Sequence, residues 1–173
     1  QSVRHDAGSS LGLREVVTLA SIIERETQSA AERALVAAVY HNRLTRGMIL
    51  QADPTVIYAL ARAGSYKGRL SRQDLRFDSA YNTYRYAGLP PGPIGSPGLA
   101  ALEAAINPAA VDFLFFVSRN DGTHAFSRTP EEHNDNVYRF QVLPFRDKPR
   151  PGKTANPRAR PADAGEASGG SGH

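Results

Sequence analysis

The sequence predicts an α+β fold, mainly helical, with one small antiparallel hairpin. Three observations carry that expectation. Helical apolar spacing recurs before residue 64. Asn120-Asp121-Gly122 sits between two β-prone runs, a strong hairpin signal. A proline-rich stretch separates these two halves. At 173 residues the chain is long enough for one domain with a sizeable core.

The first helix is expected over residues 13–25, where Leu13, Val16, Val17, Leu19, Ala20, Ile22 and Ile23 make nearly every side apolar. Ser29 with Glu32 three residues on reads as a capping box opening a second helix. Leu35, Val36, Val39 and Tyr40 form its apolar face, and Gly47 suits its stop. Met48-Ile49-Leu50-Gln51 reads as extended. Asp53 before Pro54 is an N-cap with proline at the first helical position, for a helix reaching Gly64. Residues 71–75 suit one helical turn. The loop through Pro90, Pro91 and Pro93 is expected to be stiff, because proline fixes φ. Ser96-Pro97 reads as the cap of a fourth helix, ending before Asn107-Pro108. Residues 113–118 and 123–127 are the hairpin strands, and Thr129-Pro130-Glu131-Glu132 is a capping box for a last helix through Val142.

Composition excludes several functions. There is no cysteine, so no disulfide framework or thiolate metal site is available. His41, His124 and His133 have no metal-ligand spacing, no glycine-rich loop cradles a phosphate, and no cofactor is expected. The pI near 9.6 suggests nucleic acid, but residues 144–173 hold six Lys/Arg against three Asp/Glu, net +3 of the chain's +4. Basicity is thus assigned to the tail, and no nucleic-acid partner is expected. Residues 1–10 are read as a flexible lead-in, 11–143 as the folded domain, and 144–173 as a disordered Pro/Gly/Ala-rich tail. No apolar run reaches membrane-spanning length. Gln1 in place of Met leads us to expect a piece of a longer protein.

Two carboxylates stand out, Glu24 and Glu26, at the end of the apolar first helix. Removing an ionised carboxylate from water costs several kcal/mol, so a buried one pairs or stays protonated. A carboxylic acid held protonated near neutrality suits general-acid chemistry. On a helical wheel Glu24 lies in line with Val17 and Ala20, while Glu26 is about 200° away. Arg43, among Val36, Val39 and Tyr40, wants a carboxylate. A Glu paired with Arg is held ionised and makes a poor general acid. We expect Glu24 to pair with Arg43 as structural support, leaving Glu26 to face a cleft. The reverse assignment, Glu26 on Arg43 with Glu24 at a pocket, stays open at this point, as does a merely exposed Glu26.

Five motifs then stand in order: Ser21-Ile22-Ile23-Glu24-Arg25-Glu26-Thr27, Leu50-Gln51-Ala52-Asp53-Pro54-Thr55-Val56-Ile57-Tyr58, Tyr81-Asn82-Thr83-Tyr84, Gly88-Leu89-Pro90-Pro91-Gly92-Pro93-Ile94 and Gly122-Thr123-His124-Ala125-Phe126-Ser127. Together, over residues 11–142, they resemble the catalytic domain of MltG (YceG-like) endolytic murein transglycosylases. The resemblance implies a lysozyme-like fold and Glu26 as the catalytic acid. It implies peptidoglycan as substrate, cut at the MurNAc-β-1,4-GlcNAc bond to leave 1,6-anhydro-MurNAc ends. Gln51, Asn82 and Tyr84 are then expected to hold the glycan, with Asp53 and Thr55 at the cleft and His124 on substrate or behind Glu26. Each also has a plain local reading, as a cap, a turn or packing. Tyr58, Phe115 and Phe126 are read as core. Cell-wall synthases are possible partners. The expected location is the cell envelope, periplasmic or at the outer face of the cytoplasmic membrane, attached only through segments outside this chain, where whole members carry an anchor and a LysM-like module. The rivals are a muramidase using water with Asp53 or Asp78 as base, and a non-catalytic glycan-binding module.

Overall fold

Helix α1, Leu13–Glu26, is the core of the computed structural model, which describes residues 11–146. Its Leu19, Ala20, Ile22 and Ile23 have no exposed surface. Burying each of the larger ones stabilises by roughly 1.5–3 kcal/mol. Around α1 pack α2 (Arg33–Thr45), α3 (Asp53–Arg62) and α4 (Leu99–Ile106). A 3-10 turn, Asp74–Arg76, follows α3. Strands β1 (Phe115–Ser118) and β2 (His124–Ser127) form a two-stranded antiparallel sheet with Phe116 opposite Phe126 and Ser118 opposite His124. Gly122, at φ +88°, lets the hairpin turn close. The chain ends in α5 (Pro130–Val137), a π-helical turn (Tyr138–Val142) and α6 (Leu143–Arg146). This is an α+β architecture. No helix among the described residues is long and apolar enough to cross a membrane.

The proline-rich loop is held rather than free. Arg14 donates to the Pro91 carbonyl at 2.8 Å, and the Ile94 amide donates to the Ser21 hydroxyl at 3.0 Å. Ser21, on the apolar helix, is thereby satisfied while it anchors the loop.

Several expected helix starts are corrected. The Ser29 hydroxyl does not cap α2: the cap position is Glu32, whose amide donates to the Ser29 carbonyl (3.1 Å), and whose carboxylate accepts from His124, at its backbone amide (2.9 Å) and its Nδ1 (2.7 Å). In α3 the cap position is Ala52, and Asp53 sits one residue inside the helix. Helix α4 starts from Gly98 without a side-chain cap, not from Ser96. At α5 half of the expected box forms: Thr129 accepts from the Glu132 amide, but Glu132 accepts from the Arg128 amide. The tail also begins later than composition suggests, since residues 144–146 continue a helix. The expectations for residues 1–10 and for the tail from residue 147 lie outside the described residues.

Candidate active site

The end of α1 opens onto a cavity of about 400 Å³, lined from α2, the 50–53 segment, Tyr84, the hairpin and the C-terminal helices. Glu26, the last residue of α1, lines it. Tyr40, from the middle of α2 and 1% exposed, donates its hydroxyl to Glu26 Oε1 at 2.5 Å. Burial pushes the Glu26 carboxyl up from its ordinary 4.5 to about 7; the Tyr40 hydrogen bond opposes that rise and the nearby Asp53 charge adds to it. Tyr40 itself is raised well above the ordinary phenol range by burial and by Glu26, so it remains a donor. The site therefore holds a carboxyl that is half protonated near neutral pH, the property a general acid needs.

Arg43 corrects the expected ion pair. It does not meet Glu24, and it does not meet Glu26. Its guanidinium donates to three backbone carbonyls, Leu114 at 2.7 Å, Ile49 at 3.0 Å and Leu50 at 3.2 Å. It also lies 5.1 Å from the Phe115 ring centre. Carbonyl dipoles and a ring face satisfy this fork without the desolvation of a carboxylate. Arg43 thus ties the 49–51 segment to the start of the hairpin, two walls of the cavity. Glu24 points elsewhere: its Oε1 lies 3.7 Å from where a side chain at Gly98 would begin, beside the N-terminus of α4. A negative charge there is favoured by the helix dipole.

The other predicted site residues divide into two groups. Gln51, Asp53, Tyr84 and His124 line the cavity. Gln51 holds φ +51°, a left-handed conformation that costs a non-glycine residue of order 1 kcal/mol, and its Oε1 accepts weakly from Arg43 at 3.4 Å. Tyr84 donates to Asp53 Oδ1 at 2.5 Å, and burial followed by Asp53 raises its hydroxyl well above the ordinary range. His124 has Nδ1 on Glu32, which orients the ring against Phe116. Thr55 and Asn82 do not line the cavity. Thr55 is fully buried, bonded to the Ala52 carbonyl and the Thr83 hydroxyl. Asn82 is fully buried, donating to the carbonyls of Leu75 and Phe77 and accepting from the Tyr84 amide. Both hold the wall that presents Asp53 and Tyr84, and both are buried out of reach of the cavity. Asp78, a rival base, is exposed on Tyr86 and Arg85, away from the cavity lining.

Sequence reasoning missed Tyr40, Phe116, His133 and Gln141, all in the lining. Tyr40 reads in sequence as one more apolar-face residue, and its hydroxyl carries no periodic signal. Phe116 was detectable only as part of a β-prone run. Tyr58, by contrast, packs on Tyr81 at 4.9 Å, and Phe126 stacks on Phe113 at 5.6 Å, as the core reading expects.

The profile of the YceG-like family matches residues 2–139 of the chain. A Bacillus subtilis protein named endolytic murein transglycosylase is 43% identical over 126 residues, covering 73% of this chain and 34% of its own length. A Streptococcus pneumoniae protein of the same name is 37% identical over 131 residues, covering 74% and 24%. A crystal structure of a YceG-like protein from Listeria monocytogenes superposes with a TM-score of 0.65 at 43% identity, covering 72% of this chain and 39% of that one. The chain thus spans about a third or less of the length of the two named transglycosylases.

Proposed function

The chain belongs to the YceG-like family, and from that premise we propose that it cleaves murein glycan strands by transglycosylation, with Glu26 as acid and then base. One observation carries the proposal: a carboxyl raised to about 7 by burial, in a cavity, with a phenol rather than a cation as its partner. In the proposed reaction protonated Glu26 donates to the glycosidic oxygen between MurNAc and GlcNAc, and the C1–O bond breaks. The C6 hydroxyl of the same MurNAc forms the new bond to C1. Glu26, now a carboxylate held by the Tyr40 hydroxyl, takes the proton released by the MurNAc C6 hydroxyl, while Tyr40 keeps its own. Atoms balance without water, and the product is a 1,6-anhydro end. An intramolecular nucleophile has a high effective concentration, so no second carboxylate is needed as nucleophile.

Gln51, Asp53, Tyr84 and His124 are the glycan-facing groups in this reading, and Phe116 a nonpolar wall for a sugar face. An acid at the end of a core helix with a hairpin across the cavity supports a lysozyme-like reading of the catalytic unit. That unit runs from residue 11 through the helix ending at Arg146. Action in the cell envelope, anchorage through segments outside this chain and partnership with cell-wall synthases extend the same proposal.

The test is digestion of purified glycan strands with mass detection. Wild type is expected to release ends one water lighter than reducing ends. Glu26→Gln is expected to lower the rate by roughly 10²–10⁴-fold, the span of general acid–base catalysis, with the fold retained. Reducing ends as the sole product would make the enzyme a hydrolase. Unchanged cleavage by Glu26→Gln would remove Glu26 from the chemistry.

A further inference from the structure

A second depression, of about 1010 Å³, is lined by Leu60 of α3 and by the residues that follow that helix as far as Phe77. Its lining includes Lys67, Arg69, Arg72 and Arg76, all exposed, against a single acid, Asp74. The Asp74 carboxylate is already occupied by the amide and hydroxyl of Ser71, at 2.8 and 2.7 Å. None of the four cations is in a salt bridge among the described residues. Between residues 62 and 76 there are five Lys/Arg and one Asp, a net +4 equal to that of the whole chain. Averaging over the sequence hides this patch; folding gathers it into one groove.

The groove and the catalytic cavity share their supports. Helix α3 gives Asp53 to the cavity and Leu60 to the groove. Those two positions are about 10 Å apart along the helix at 1.5 Å per residue. The following loop gives Tyr84 to the cavity and Phe77 to the groove, and buried Asn82 bonds to both ends of that connection, the Tyr84 amide and the Phe77 carbonyl. An extended peptide branch of three or more residues spans about 10 Å, the spacing of Asp53 and Leu60 along α3, and the four cations beyond Leu60 make no salt bridge among the described residues.

We propose that this groove binds the carboxylate groups on the peptide branches of the strand whose sugar backbone occupies the Glu26 cavity. The proposal rests on the glycan reading above. Arginine forks match carboxylates, and exposed charge pairs act additively but weakly, so the attraction is modest and salt-sensitive.

The experiment measures binding of the chain carrying Glu26→Gln to peptide-bearing strands and to strands stripped of peptide, at low and high salt. It is repeated with Lys67→Gln, Arg69→Gln and Arg72→Gln added together, with circular dichroism to check the fold. At low salt, peptide-bearing strands are expected to bind about tenfold tighter than stripped ones, from three pairs near 0.5 kcal/mol each. The gap is expected to close at high salt and in the triple variant. Equal affinity for the two strands, or a gap that survives the triple substitution, overturns the proposal while leaving the cavity reading intact. Absence of binding to either strand overturns both. If vesicles containing anionic phospholipid bind in a way the triple variant abolishes, while the two strands bind equally, the groove belongs to a lipid surface and the proposal fails.

Discussion

The two flanks of the last turn of α1 show how differently a fold can treat neighbouring carboxylates. Glu24 and Glu26 are two residues apart and about 200° apart on the helix. On one flank Glu24 lies half-buried beside Gly98, at the start of α4. On the other, Glu26 faces a cavity and accepts from the Tyr40 hydroxyl, with its carboxyl raised to about 7. The difference is in the company each keeps. A helix start welcomes an anion, whereas burial beside one neutral donor, with the Asp53 charge nearby, penalises it. The two carboxylates are separated here by environment, with no salt bridge to either among the described residues.

The largest expected effect that sharpens this contrast is on stability. The Glu26 carboxyl binds its proton more tightly folded (about 7) than unfolded (about 4.5). The folded state is therefore favoured most at low pH, and that advantage fades as pH rises from 4.5 through 7. Glu26→Gln cannot ionise, so relative to wild type it is expected to gain on the order of 3 kcal/mol between pH 4 and pH 8. Urea midpoints at the two pH values measure it, and parallel pH profiles for both proteins would contradict it.

Next comes Tyr40→Phe. It removes the donor that stabilises the Glu26 anion, so the carboxyl rises further and the alkaline limb of activity moves to higher pH. The carboxylate formed as the proton leaves also loses its charge-assisted bond. A rate loss of about tenfold is expected, from roughly 1.5 kcal/mol. An unchanged pH profile would mean that the phenol only packs.

The smallest effect is expected for Glu24→Gln. Loss of a charge near a helix start costs about 0.3–1 kcal/mol. Thermal unfolding is expected to register that cost with the pH profile of cleavage unmoved. A shifted profile would mean that the two flanks are coupled and the contrast is false.

Much of this fold was legible in sequence, because α1 and the hairpin announce themselves through period and turn chemistry. Asn120-Asp121-Gly122 located the hairpin turn, and the apolar run of α1 located the core. What was not legible was the identity of partners far apart in the chain. A helical wheel places Arg43 inside without saying that carbonyls from Ile49, Leu50 and Leu114 await it. The Glu24–Arg43 pair that the helical wheel suggests does not form, and what sets Glu26 apart is burial beside the Tyr40 hydroxyl. A capping pattern such as Ser29 with Glu32 fails when the carboxylate finds a stronger partner in His124, 92 residues away. Asn82 and Thr55 have side chains suited to sugars, and only the fold shows that both are fully buried on partners within the chain. Net charge was misleading for a similar reason: a sum over residues cannot see that Lys67, Arg69, Arg72 and Arg76 share one groove.

The central claim is that Glu26 is a carboxylic acid near neutral pH, and carbon-13 NMR of its side-chain carboxyl, followed against pH, tests it most directly. A midpoint close to 7, moving upward in Tyr40→Phe, is the predicted result. A midpoint near the ordinary 4.5 would contradict it, because the residue would then be a solvated anion with no proton to give.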